Sequence, residues 1–194
     1  ACDIIMISNT RRTCKDANRV LQIICNPEAS NPLAKKLLRL NDYAPWLEGD
    51  RVINNTNIDS ECGVRIFNGM IGIVQKIDLE TKAVVVKFRN VEHRYNASDV
   101  TIDHAYCVTT WKYQGSEIKH TVVFFESTWG LSCELLYTAV TRGQCSTTLY
   151  LSANNLKLAL STRIGAKRVT RLTKRIIETV SKKRHRDEED GVLD

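Results

Sequence analysis

The rhythm of apolar and polar positions changes twice along this chain and divides it into three stretches. Residues 3–8, D-I-I-M-I-S, form a short apolar run that predicts a buried strand. The polar turn N-T-R-R-T follows and has the character of a helix start. Ala17, Val20, Leu21 and Ile24 then recur at helical spacing and predict a helix from about Thr13 to Ile24. Strand, polar turn and helix are the opening of an α/β unit. Pro27, Pro32 and Pro45 mark breaks in residues 26–47, with one or two helical turns predicted between Ala34 and Leu40.

From Glu48 to about Ile102 the texture becomes β-rich. The runs R-V-I-N, M-I-G-I-V-Q-K-I, A-V-V-V-K-F and V-E-H-R-Y are split by turn residues. Asn68-Gly69 is a strong turn signal, and Gly63 and Gly72 suit bends. Five short strands in so few residues suit a small barrel of the SH3 type, inserted into the α/β pattern. That pattern then returns. Ile118 to Phe125 reads as a buried strand, and Ser132 caps a helix from Cys133 to about Arg142, with Glu134 in its first turn. The apolar face of that helix is Leu135, Leu136, Ala139 and Val140. Residues 145–151 form another strand, Ala153 to Ser161 another helix, and residues 170–183 a basic helix. The block K-K-R-H-R-D-E-E-D beyond it reads as frayed or disordered.

At 194 residues the chain fits one domain, or one domain with a small insertion, and 43% hydrophobic residues suffice for a core. No apolar run has transmembrane length, so no membrane partner is expected. The first residues, A-C-D-I-I-M-I-S, make no signal peptide, and a start at Ala1 rather than methionine suggests an excised or processed piece. Seven cysteines without a C-x-x-C pair read as buried, reduced thiols of an intracellular protein rather than as a zinc site or disulfide framework. The formal charge of +6 includes a basic run from Lys167 to Arg186, either a solvated helix and tail or a polyanion-binding surface. K-K-R-H-R within it is a nuclear address or only a solvated tail, so both nuclear and cytoplasmic placement stay open.

Two motifs carry the candidate chemistry. Thr109 to Glu117, T-T-W-K-Y-Q-G-S-E, packs hydroxyls, a cation, an amide and a glycine into one run. Leu136 to Gly143, L-Y-T-A-V-T-R-G, puts Arg142 at the end of an apolar helical stripe. No G-x-x-x-x-G-K-[ST] phosphate loop occurs in the chain. Residues 3–21 and 103–151 resemble the second RecA-like domain of superfamily-one helicases, in the RecD, Dda and Pif-type branch that moves 5′ to 3′. The run G-D-R-V-I-N … F-N-G-M-I-G-I-V resembles the SH3-like insertion of that branch. The resemblance implies an α/β, RecA-like (P-loop NTPase-type) domain without its phosphate loop. Its parts are residues 1–47, an SH3-like β-barrel insertion at 48–102, residues 103–165, and a basic helix and charged tail at 166–194.

The same resemblance implies roles. Arg142 is the candidate arginine finger, because a guanidinium stays charged and binds phosphate oxygens bidentately; alone, it would read as a surface arginine near a helix C-terminus. Thr10, Asp16 and Asn18 match the first motif of the domain, and of Arg11, Arg12 and Lys15 nearby, Arg12 is favoured as a second phosphate sensor. Gln114, Gly115 and Glu117 fall on the nucleotide side of the coupling motif. Thr10, Thr109, Thr110 and Lys112 fall on the DNA side. Trp111 replaces the histidine more usual in the family and reads as a base-stacking ring or as core or interdomain packing. Gln144 stands where a second basic residue is common. In the insertion, Arg65, Phe67, Lys87, Phe88, Arg89, His93, Arg94 and Tyr95 read as DNA contacts or as plain alternation of core and solvent positions. His104 reads as a structural hydrogen-bonder.

The expected function is the C-terminal motor domain of an ATP-dependent 5′–3′ DNA helicase. Its partners would be single-stranded DNA and the N-terminal RecA-like domain of the same protein, and the latter would bind most of the ATP and Mg²⁺. Alone, the chain is expected to be inactive as an ATPase. The alternatives are a non-catalytic nucleic-acid-binding module and an RNA helicase of the same superfamily.

Overall fold

The computed structural model describes residues 3–37, 44–60, 63–89, 91–96 and 101–165. The helix expected at 170–183 and the charged block after it lie outside these residues. Four parallel strands form the first sheet: β1 (Ile4–Ser8), β9 (Cys107–Thr109), β10 (Ile118–Phe125) and β11 (Gly143–Leu151), in the order β11-β10-β1-β9. β1 is central, with Ser8 opposite both Phe124 and Thr109. Ile5 and Ile7 alternate onto one face and pack with Val108, Val123 and Phe125. This core also takes Leu135, Leu136 and Ala139 of helix α2 (Cys133–Val140) and Ala159 of helix α3 (Ala153–Ser161). Both helices start as the sequence predicts, with Ser132 and Ser152 accepting from the backbone N–H three residues on.

Helix α1 (Arg11–Cys25) leaves β1 through Thr10, whose side chain accepts from Thr13 N. Its predicted apolar stripe is split, with Ala17 and Leu21 half-buried and the rest turned to solvent. Val20, Ile23 and Ile24 are 55%, 59% and 72% exposed, whereas Cys14 and Gln22 are buried and Asn18 half-buried. A polar stripe at spacing four (Asn18, Gln22, Asn26) turns inward because that side holds polar groups in need of partners. The side chain of Asn18 accepts from Cys107 N (2.7 Å) and donates to the carbonyls of Cys107 (2.9 Å) and His104 (3.2 Å), fastening α1 to β9.

Between α1 and β9 lies a second, antiparallel sheet. It consists of β2 (Arg51–Asn54), β5 (Ile71–Asp78), β6 (Ala83–Phe88), β7 (Val91–Asn96) and β8 (Ile102–His104), in the order β7-β6-β5-β2-β8. A two-residue ladder, β3 (Ile58–Asp59) with β4 (Arg65–Ile66), stands beside it. Val52, Val74, Ile77, Val84, Val86, Phe88 and Tyr95 form its core, with Trp46 and Leu37 against them. Gly69, at φ +90°, makes the turn that Asn68-Gly69 predicts. Gly72 does not sit at a bend. It lies within β5, where a Cβ would come within 2.6 Å of Val86 and 2.8 Å of the Phe88 ring, so glycine is needed to seat that phenylalanine. The helical turns expected from Ala34 are absent as far as Leu37, which instead forms an antiparallel bridge to Trp46.

Asp50 closes the seam between the two sheets. It is 0% exposed. Oδ1 accepts from Asn26 Nδ2 (2.7 Å) and Tyr106 Oη (3.0 Å); Oδ2 accepts from Gln22 Nε2 (2.6 Å) and Leu47 N (2.8 Å). His104 Nε2 lies 3.2 Å from Oδ2, and its ring stacks on Trp46 at 4.2 Å and 14°. His104 thus has the structural role expected of it. Burial, then the Asp50 charge, pushes the Tyr106 phenol well above its ordinary range. Four donors around one buried carboxylate, with the His104 ring beside them, offset the cost of removing it from water.

Candidate nucleotide and nucleic-acid interface

The segment 109–117 runs from one edge of the parallel sheet to the other. Its first residues lie at the C-terminal edge, where Thr110 N donates to Ser8 O (3.0 Å). Its last residues reach the N-terminal edge, where β10 and β11 begin. There Arg142 meets it. Helix α2 runs back along the sheet and ends at Thr141, so Arg142 falls at the turn into β11. The guanidinium donates from Nη1 to Ser116 O (3.2 Å), from Nε to Thr138 O (2.9 Å) and from Nη2 to Thr141 Oγ1 (3.0 Å). Beside it, Gln144 Nε2 donates to Glu117 Oε2 (3.1 Å). Arg142 is half-buried, and Glu117, Gln114 and Gly115 are exposed. Gly115 has φ +88° with open space around a would-be Cβ, so its need for glycine is conformational. Gly143 is needed for space: a Cβ there would lie 2.4 Å from Thr147 Oγ1 and 2.5 Å from Ser146 O.

At the C-terminal edge, Thr10 caps α1, Arg11 and Arg12 are exposed in its first turn, and Thr109 Oγ1 accepts from Lys112 N (3.3 Å). Arg12 therefore does not join Arg142. The whole length of β1, roughly 17 Å at the usual rise per residue, separates the two edges. Thr110, expected on the DNA side, is corrected: it is 0% exposed, and its hydroxyl lies 3.3 Å from Ser8 O and fastens the loop to β1. Trp111 is 61% exposed and does not fill the core. Lys112 is half-buried, with Nζ 2.5 Å from Asp103 Oδ2. Burial works against ionisation of Asp103, yet the Lys112 hydrogen bond and charge, with the Asn55 amide, hold its carboxyl below the usual range.

Within residues 48–102, Phe88 and Tyr95 are core, Arg94 pairs with Asp78 and Arg65 with Asp59, and Phe67 is exposed. The turn after Phe67 approaches the 109–117 segment, where a Cβ added to Gly69 would lie 3.7 Å from Lys112 O. A pocket of about 320 Å³ lined by Ile4, Met6, Leu21, Cys25, Tyr106 and Val122 contains none of the motif residues. Among the described residues no three His, Cys, Asp or Glu side chains cluster as a metal site, and no helix is long and apolar enough to cross a membrane. Cys14 and Cys107 are buried free thiols, but Cys25 and Cys145 are exposed, against expectation. Asp50, Gln22, Asn26 and Tyr106 escaped the motif reading. The signal for Gln22 and Asn26 was the uncharged polar spacing of four (Asn18, Gln22, Asn26) along α1 and its C-cap.

No protein-family model matches the sequence, nor does any curated protein. Solved structures do match. The Bacteroides Pif1 bound to ssDNA aligns over 82% of this chain and 43% of its own, with a TM-score of 0.56 and 13% identity. The fold is that of Pif1 helicases. A Pif1 structure describing unwinding at forked dsDNA gives a TM-score of 0.57 over 82% of this chain at 14% identity, and the Candida albicans Pif1 helicase gives 0.51 over 82% at 16%. The chain spans less than half the length of these Pif1 chains, between 41% and 48%. At such identities the likeness to Pif1 is one of fold.

Proposed function

We propose that this chain is the second RecA-like motor domain of an ATP-dependent 5′–3′ DNA helicase, with residues 48–102 as its SH3-like insertion. The observation that carries the reading is the meeting of the two motifs at the N-terminal edge of the parallel sheet, where Arg142 donates to Ser116 O. Residues 26 apart in sequence are joined there with Glu117 and Gln144. The Pif1 fold supports it, and one such Pif1 was solved with ADP-AlF3 and ssDNA.

Three of the five N–H groups of Arg142 are engaged within the chain, which orients the fork and leaves two for a phosphate oxygen. A guanidinium so held adds positive charge where negative charge builds during phosphoryl transfer, and needs little reorganisation to do so. Gln114 and Glu117 supply an amide and a carboxylate for the sugar or base. This donor set fits a nucleotide held against a neighbouring domain. ATP, when bound, supplies the transferable phosphoryl group, and no magnesium ligand is assigned to this chain. At the opposite edge Thr10, Thr109 and Lys112, joined now by Arg12, face the DNA strand.

The test is turnover by the complete protein. Arg142→Ala is expected to lower kcat by about 10³ or more with nucleotide affinity little changed. Arg142→Lys also falls short, because an ammonium lacks the fork. The 194-residue chain alone is expected to hydrolyse no ATP. Wild-type turnover by Arg142→Ala, or appreciable turnover by the isolated chain, refutes the reading.

A further inference from the structure

We infer that Trp111 and Trp129 form a two-ring stacking platform for the bases of single-stranded DNA, on either side of the Arg11–Arg12 cations at the C-terminal edge of the parallel sheet. The inference rests on the strand-binding half of the reading above. Trp129, in the β10–α2 connection, is 69% exposed, more than Trp111. Lone exposed hydrophobic side chains need no explanation, but these two are built to one plan. The end of β1 fastens both of their loops. The buried Asn9 donates from Nδ2 to Ser127 O (2.7 Å) and Trp129 O (2.9 Å), and Trp129 N donates to Ser127 Oγ (3.1 Å). On the other side, Ser8 O takes Thr110 N at 3.0 Å and lies 3.3 Å from the Thr110 hydroxyl.

Topology fixes their arrangement. β10 and β9 flank β1, so the loops that follow them stand on either side of the residues that follow β1. Those residues are Thr10, Arg11 and Arg12. Strand spacing puts the two loop origins roughly 10 Å apart. The first turn of α1 carries exposed cations and no acidic residue, the reverse of what the helix dipole favours, so an anion there would be stabilised. Neither tryptophan ring stacks on another ring among the described residues; Trp46 does, on His104. Asn9 Oδ1 and Ser8 Oγ, at the foot of both loops, are buried without a partner. Rigid rings beside cations suit a single strand, because every base has a face to stack and every nucleotide a phosphate.

The experiment is binding of a fluorescein-labelled oligo-dT by the complete protein, followed by anisotropy at several salt concentrations, with tryptophan fluorescence recorded in parallel. Stacking changes affinity by roughly 5- to 150-fold per base, so Trp111→Ala and Trp129→Ala are each expected to weaken binding by about tenfold or more. The salt slope should be unchanged in both. Trp111→Phe and Trp129→Phe keep a ring and most of the affinity. Oligo-dT should quench wild-type tryptophan emission, and the double phenylalanine variant, which retains Trp46, should lose that quench. Arg12→Ala should weaken binding and flatten the salt slope by about 0.7. Wild-type affinity in the double alanine variant, or quenching that survives in the double phenylalanine variant, overturns the platform and leaves the strand-binding reading intact. No salt-dependent binding by the wild-type protein overturns both.

Discussion

Replacing Asp50 by asparagine is the sharpest test of how the two sheets are held together. The side chain keeps its shape, but one acceptor oxygen becomes an NH₂ group. In one orientation that group faces Asn26 Nδ2 and Tyr106 Oη; in the other it faces Gln22 Nε2, Leu47 N and His104. Either way at least two buried donors lose their acceptor. At about 1–3 kcal/mol for each buried group left unsatisfied, the loss is about 2–6 kcal/mol. Whole-domain stability is about 5–15 kcal/mol, so the variant is expected to be folded but visibly weakened. Urea unfolding followed by the emission of Trp46, stacked on His104 within this network, reads the change directly. Asp59→Asn is the control, since that side chain is 72% exposed and should leave the midpoint where it is. A loss below about 1 kcal/mol for Asp50→Asn would show that the carboxylate is not what binds α1, the start of β2 and the 104–106 segment together.

Gly143→Ala drives a methyl group into Thr147 Oγ1 and Ser146 O and is expected to cost about 1–3 kcal/mol in thermal or urea unfolding, with ATP turnover by the complete protein falling as Arg142 is displaced. Asp103→Asn releases Lys112 from its ion pair and should tighten oligo-dT binding, steepening the salt slope by about 0.7; unchanged affinity would remove Lys112 from the strand. The carboxyl of Asp103 is held below its ordinary value, so its contribution to stability is present above about pH 3.9 and is lost as pH falls through the lower folded value. Asp103→Asn should remove that part of the acid-induced loss, a small part because the pair is half exposed to solvent.

The strands and caps were legible because local chemistry dictates them. Alternation in A-V-V-V-K-F marks β6, and Ser132 announces α2. What the sequence hid was long-range. Apolar spacing finds α1 but assigns Val20 and Ile24 to the wrong side, because the inward face is chosen by Asp50 and by backbone groups of residues 104–107, far along the chain. Gly72 reads as a bend until Phe88 is placed above it. In the motifs, residue type pointed to Arg142 and Glu117, and the structure brings their segments together. It could not separate Thr109 from Thr110, where one hydroxyl lies at the surface and the next is closed off by β1. Nor could spacing alone tell that Arg12 and Arg142 lie at opposite edges of the parallel sheet.

The pairing of β1 with β9 joins Met6 to Cys107, neighbours in space whose intervening chain includes the whole antiparallel sheet. Closing so long a loop is slow, whereas β5, β6 and β7 pair through short hairpins. The antiparallel sheet closes over short sequence separations, whereas the edge that carries Thr109 and Arg11 depends on a segment that contributes no strand to it.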